Sequence, residues 1–237
     1  MKIKTLLYAL LWLAVATGCH SRQKEEINIL PHPINPQADS LYRQAIVLLQ
    51  SSFDVDSTRK CIRILDEALQ IDSLNPDYYG IKAKLLSEMG ELDSAIYVQT
   101  LALERKAITG EYLLQLGLFQ AARDMDDKAH ESFRQSKLFL DAVLERYPDS
   151  LGAFIWAEAA NSLYEKQDSL FMRDIDAIRK RFADRLLDIE MTRRVNPSSL
   201  VKQIKQIQMK KETHVDFDLD SLVLDAVKRD EQESGRN

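Results

Sequence analysis

The chain has 237 residues, 45% of them hydrophobic and 29% charged, which is ordinary globular composition with enough apolar mass for a sizeable core. Its net charge of −5 argues against a nucleic-acid partner, because phosphate binding needs a basic surface. Only 7 Gly and 6 Pro argue against an all-β protein, whose many turns would need more.

Residues 1–18 read as an export signal. Lys2 and Lys4 form a short basic region, and Leu6 to Thr17 is an apolar run too short to span a bilayer as an ordinary helix. The run Val15-Ala16-Thr17-Gly18-Cys19 resembles the lipobox of bacterial lipoproteins, with Ala16 where Leu is usual. The resemblance implies cleavage before Cys19 and acylation of that residue, with palmitate as the label to follow. One acyl chain gives only marginal membrane binding at about 0.8 kcal/mol per CH₂, whereas two or three anchor stably. In enteric relatives of this sorting system an Asp after the lipidated Cys retains the protein at the inner membrane. His20 stands there instead. The expected location is therefore the outer membrane of a Gram-negative cell, lipid-anchored and facing the periplasm, with surface exposure left open. An ordinary secretory signal with an incidental Cys19 is the alternative. If Cys19 is acylated, Cys61 has no partner for a disulfide, and it reads as a small buried hydrophobe.

Residues 19–38 read as a flexible tether. His20 to Glu26 is polar and charged, and Pro31, Pro33 and Pro36 favour extended chain. Asp39 is the expected N-cap of the first helix. From there to residue 183 small residues recur with a period of 34: Cys61, Ala95 and Ala129; Ala68, Ala102 and Ser136; and, with one large exception, Leu49, Ala83 and Gly117. That is the period of a two-helix solenoid repeat. The repeats run from about 42 to 75, 76 to 109 and 110 to 143. Pro76 opens a helix and Gly90 ends it. A helix overruns the third repeat to Tyr147, and a fourth hairpin follows over about 149–181. Small residues are needed because antiparallel helices approach closely only where side chains are short, and overfilling such a contact costs about 1–3 kcal/mol.

Tyr79, Ala83, Gly90, Ala95 and Ala102 match, in order, the motif of the tetratricopeptide repeat. Leu116, Gly117, Ala129, Phe133 and Ser136 repeat the match. The resemblance implies an all-α, right-handed solenoid of three to four antiparallel helix hairpins.

Residues 184–237 read as a C-terminal helical extension that caps the open end of the solenoid. An amphipathic stripe (Phe171, Ile175, Ile178, Phe182, Leu186, Ile189) leads into it. Asn196-Pro197 starts a helix with Leu200, Ile204 and Ile207 on one face, and a last short helix is expected over about 220–229. Lys202, Lys205, Lys210 and Lys211 read as a solvated helix face, or as a contact with anionic lipid.

No catalytic motif is found: the sequence lacks HExxH, GxSxG, P-loop and GxGxxG patterns, and its four histidines share no metal-ligand spacing. Asp216, Asp218 and Asp220 alternate as calcium ligands do, but Ser221 and Val227 stand where the loop needs Gly and Glu. The expectation is a non-enzyme with no cofactor and no metal. The tetratricopeptide resemblance implies that the first helix of each hairpin lines an inner groove. Its partner-binding residues would then include Arg43, Ile46, Gln50, Lys84, Glu88, Glu111, Leu114 and Leu118. Leu114 and Leu118, one turn apart, form an apolar patch that marks a binding site, unless a C-terminal helix folds back to fill it. The expected function is a membrane-anchored scaffold for a peptide segment or partner protein. Two other classes stand beside it. One is a structural subunit of an outer-membrane assembly or secretion complex, since Tyr147-Pro148 and the length are similar to the repeat lipoprotein of the β-barrel assembly complex. The other is a glycan-binding or glycan-acting module built on Trp156, Glu158 and Glu165.

Overall fold

The computed structural model describes residues 32–51, 54–182 and 196–212. The signal, Cys19 and the expected helix at 220–229 lie outside the described residues. Nine helices are described: α1 (Pro36–Ser51), α2 (Val55–Ile71), α3 (Pro76–Glu88), α4 (Leu92–Glu104), α5 (Gly110–Ala122), α6 (Asp126–Arg146), α7 (Leu151–Tyr164), α8 (Asp168–Arg181) and α9 (Pro197–Glu212). No strand occurs among the described residues.

Local chemistry sets the starts. Asn75 accepts the Asp77 N–H at 3.0 Å ahead of Pro76, and Asp54 accepts the Ser57 N–H at 2.8 Å. Asn196 accepts the Ser198 N–H at 3.0 Å ahead of Pro197. The first helix begins earlier than expected. Asn35 caps it, accepting the Gln37 N–H at 3.0 Å, and Pro36 takes the first helical position, where its missing N–H is no loss. Asp39 lies one turn in and receives the Arg43 guanidinium at 2.7 Å. His32 reaches the Asp72 carboxylate at 2.9 Å, so the lead-in to α1 rests on the end of α2.

The stops share one device. Gly90, Lys106, Asp124 and Lys166 have positive φ, between 55° and 68°. Each ends a helix, and the residue after each donates back to a carbonyl in the last turn: Glu91 to Leu86, Ala107 to Ala102, Met125 to Gln120, Gln167 to Ser162. This is the six-to-one bond of the Schellman motif. Gly90 and Asp124 are themselves 34 apart. The turn therefore repeats with the solenoid although its residue type does not.

The helices pair as four hairpins, α1/α2, α3/α4, α5/α6 and α7/α8, and each hairpin stacks on the next through α2 on α3, α4 on α5 and α6 on α7. First helices also touch each other, α3 with α5 and α5 with α7, so they form one layer. The recurrent small residues sit at the contacts within hairpins. Cys61 and Ala95 are fully buried, and Ala129 nearly so, as are Ala68, Ala102 and Ser136 at the second set of positions. Two of these contacts are polar against backbone: the Cys61 thiol reaches the Ala45 carbonyl at 3.4 Å, and Ser136 Oγ donates to the Gly110 carbonyl at 2.7 Å. Burial pushes the Cys61 thiol above its ordinary pKa, so it stays protonated as a donor.

Four apolar clusters follow the stacking, the smallest joining Leu140 to Ala153 and Ala157 of the next hairpin. The first joins Ala45, Cys61, Leu65 and Ala68 to Tyr78 and Leu85 of the next hairpin. The second joins Tyr79, Ala83, Ala95 and Ala102 to Phe119 and Ala122. The third joins Leu114, Leu118, Ala129 and Phe133 to Leu151, Ile155, Phe171, Ile178 and Phe182. Each cluster thus recruits side chains from the following hairpin, and none closes on itself. Of the expected amphipathic stripe, Phe171, Ile178 and Phe182 are buried, while Leu186 and Ile189 lie outside the described residues.

Glycines test the closeness of approach. A Cβ at Gly117 would lie 2.5 Å from the Phe133 ring, whereas a Cβ at Gly152 would meet nothing within 4 Å. In a helix, alanine in place of glycine ordinarily gains about 0.5–1 kcal/mol. We expect Gly152→Ala to stabilise the chain within that range, and Gly117→Ala to destabilise it by about 1–3 kcal/mol through overpacking. Urea denaturation of the two variants reads both signs.

Candidate functional site

The layer of first helices is the surface that the repeat resemblance expects to line a groove, and α9 lies across it. It packs on α3, α5 and α7 and reaches α8. Leu200, Val201 and Ile204 of α9 pack against the third cluster, which contains Leu114 and Leu118, and Val201 and Ile204 also pack against the second. Leu114 and Leu118 are 3% and 8% exposed. The apolar patch of the inner face therefore lies in the core beneath the C-terminal helix.

The other residues expected in the groove divide by position. Arg43 and Gln50 are exposed on α1, with Ile46 half-buried between them. Lys84 is exposed on α3 and sits 3.7 Å from Glu88. Glu111 is half-buried at the start of α5. Its neighbour Tyr112 donates to Asp77 Oδ1 at 2.9 Å and fills the space left by Gly80, where a Cβ would collide with the Tyr112 ring. Burial, then Asp77, raises the Tyr112 hydroxyl pKa well above its ordinary value. The described groove is therefore apolar and covered over α5 and α7, and polar and open over α1.

α9 is fastened at each turn that it crosses. Ser198 Oγ donates to Asp168 beside the α7–α8 turn. Lys205 Nζ reaches Asp124, the left-handed residue of the α5–α6 turn, at 2.6 Å. Lys211 Nζ reaches Glu91 at 3.2 Å, and Gln208 accepts the Leu92 N–H at 3.2 Å, both at the α3–α4 turn. Arg123 bridges Glu212, at 3.2 Å, and Asp93, at 2.9 Å. The spacing has a geometric reason. Six or seven residues of helix rise by about 9–10 Å at 1.5 Å each, which matches the roughly 8–10 Å between packed helices. Ser198, Lys205 and Lys211 therefore meet successive turns. Gly90 suits its turn twice over: its φ of 68° favours glycine, and a Cβ there would lie 2.8 Å from Lys211 Cβ.

Sequence reasoning found the stripe of Leu200 and Ile204 but missed Val201, the acids at the turns, and the ion pairs of Lys205 and Lys211, which it read as a solvated face. The available signal was the spacing of those lysines set against the stacking distance of the hairpins. The pairs are solvent-exposed, so each contributes at most about 1 kcal/mol. No residue of α9 after Pro197 is fully buried.

Beneath the N-terminal half of α9 the seam is unfilled. A cavity of about 230 Å³ has Ala121, Ala129, Phe133, Leu163 and Val201 as its apolar walls. Ser162 also lines it, with Oγ buried and without a hydrogen-bond partner. Asp126, His130 and Lys166, all exposed, stand at the mouth, where the His130 ring stacks on Tyr164 at 4.2 Å.

Among the described residues no group of His, Cys, Asp and Glu could hold a metal ion, and no helix is long and apolar enough to cross a membrane. Trp156 is exposed on α7. At 3.6 residues per turn, Glu158 projects from the opposite side of that helix, and Glu165 lies past its last residue, so the three do not share one face.

No protein-family model matches the chain, and no curated protein matches it. Among solved structures it is similar to a tetratricopeptide repeat protein from Parabacteroides merdae, at 14% identity, over 75% of this chain and 87% of that one, with a TM-score of 0.36. At that score the repeat assignment rests on the chain's own stacking and turns. They define an all-α stack of antiparallel helix hairpins, a helical solenoid.

Glu88 offers a pH test of the open end of the groove. Burial raises its carboxyl pKa above the ordinary 4.5, and Lys84 opposes the shift. A raised acid binds more protons folded than unfolded, so its contribution to stability falls as pH rises through the interval above 4.5. Glu88→Gln removes that loss. The stability of the variant relative to the parent should therefore climb with pH across that interval, measured by urea denaturation at a series of pH values.

Proposed function

We propose that this chain is a lipid-anchored scaffold that holds a helical segment of a partner protein at the periplasmic face of the outer membrane. The observation that carries the proposal is the inner layer itself, which receives an amphipathic helix along a continuous apolar seam and offers an acid at each turn beside it. The lipobox-like run ending in Cys19 supports the anchor, and His20 supports the outer membrane. The open groove over α1, with Arg43, Ile46 and Gln50, is a place where a partner makes contact without disturbing α9.

Two measurements in the native envelope test the two halves of this proposal. Radiolabelled palmitate should enter the chain and be lost in Cys19→Ala; retention of label in that variant contradicts the anchor. A photo-crosslinking residue at position 43 or 84 should give one defined protein adduct that is missing when the probe replaces the exposed Tyr97 of α4. Identical products from all three positions, or none, contradict the scaffold.

A further inference from the structure

The fit of α9 is incomplete in a way that specifies a better ligand. Its apolar residues Leu200, Val201 and Ile204 are only half-buried, whereas α3, α5 and α7 beneath it carry fully buried side chains. Val201 borders a cavity of about 230 Å³. It opens to solvent between Asp126, His130 and Lys166, and its volume exceeds the roughly 150 Å³ left by deleting a large core side chain, which is room for one. Ala121, Ala129, Phe133 and Leu163 line it together with Val201. A valine is too short to reach across it, and an aromatic or longer aliphatic side chain from the same helical position would enter. Two of the charged contacts of α9 place cations opposite Asp124 and Glu91, and a third places Glu212 against Arg123, all at least partly open to solvent.

We infer that the α9 site accepts, in trans, an amphipathic helix of a partner protein that carries a large apolar or aromatic side chain where α9 has Val201, and cations four and ten residues further on. α9 is then the resident competitor. It covers the apolar layer until a helix that fills the cavity replaces it. This rests on the scaffold proposal and gives the partner its chemistry: one aromatic or long aliphatic anchor, and two cations spaced to meet successive turns.

The test uses the full chain and labelled synthetic peptides spanning residues 197–212, one with the native sequence and one with Val201→Phe. In the full chain, Ile204→Asp loosens α9 at a half-exposed position, and thermal melting checks that the hairpin stack is retained. By fluorescence anisotropy the loosened chain should bind the phenylalanine peptide at least ten-fold more tightly than the native one. The unaltered chain should bind that peptide at least ten-fold more weakly than the loosened chain. Asp124→Lys in the loosened chain should weaken binding several-fold, and a Lys205→Glu change in the peptide should restore it. Equal affinity for the two peptides, or no binding, overturns the inference. Hydrogen exchange provides a second readout that needs no peptide or loosened variant. Val201→Phe in the full chain should slow exchange of the α9 amides about ten-fold, and unchanged or faster exchange overturns the cavity-filling anchor. Light scattering of the loosened chain should give a monomer. A dimer that the peptide dissociates would assign the site to a second copy and overturn the partner assignment. Peptide binding without any envelope crosslink from positions 43 and 84 would remove the scaffold and leave this site standing; equal peptide affinities beside a defined crosslink would do the reverse.

Discussion

The constraint on which the structure depends is the short distance between the two helices of each hairpin. At Cys61 and Ala95 the second helix lies against the first at fully buried positions, and Ala129, also buried, stands at the third such position beside the cavity under α9. That closeness lets a 34-residue unit bury its inner stripe and still present apolar residues to the next unit. The clusters show the consequence, because each is completed by side chains from the following hairpin. A two-helix unit of this size cannot finish its own core, so the units stack, and stacking creates the continuous layer of first helices.

The proposed function follows from what that layer leaves unfinished. Over α5 and α7 it is apolar, and Leu114 and Leu118 are buried in a cluster against which α9 packs. The cover is loose by comparison with the stack. It depends on half-buried apolar side chains and exposed ion pairs, each worth at most about 1 kcal/mol. A helix held in this way is exchangeable in principle, whereas Ala95 or Phe133 is not. The difference between the hairpins and the lightly fastened C-terminal helix is the basis of the proposed binding surface.

The sequence made the hairpins legible because their cause is local and recurrent. Small residues at a fixed interval, Asn75-Pro76 at a start and Gly90 at a stop, each carry one physical meaning. Asp124 and Lys166 adopt the same left-handed turn without glycine, and so hid their equivalence to Gly90. Asn35 took the cap that Asp39 was expected to supply, because Pro36 fits the first helical position and the chain turns there one residue group earlier. The position of α9 was not legible. Its amphipathic stripe shows that it has a face to bury, but which surface receives that face depends on matching the helix rise to the hairpin spacing. That relation appears only once the turns are placed in space. Val201 was missed because it flanks the stripe of Leu200 and Ile204 and yet packs against two clusters at once.

The most direct test of the central claim is to replace Ala68, Ala102 and Ser136, buried at the second set of recurrent positions, one at a time with leucine and to measure unfolding by urea. If the three occupy equivalent crossings, each substitution destabilises the chain by a similar amount, about 1–3 kcal/mol. If one of them accepts leucine without loss while the others do not, the crossings are not equivalent, and the repeat on which the inner layer depends is contradicted.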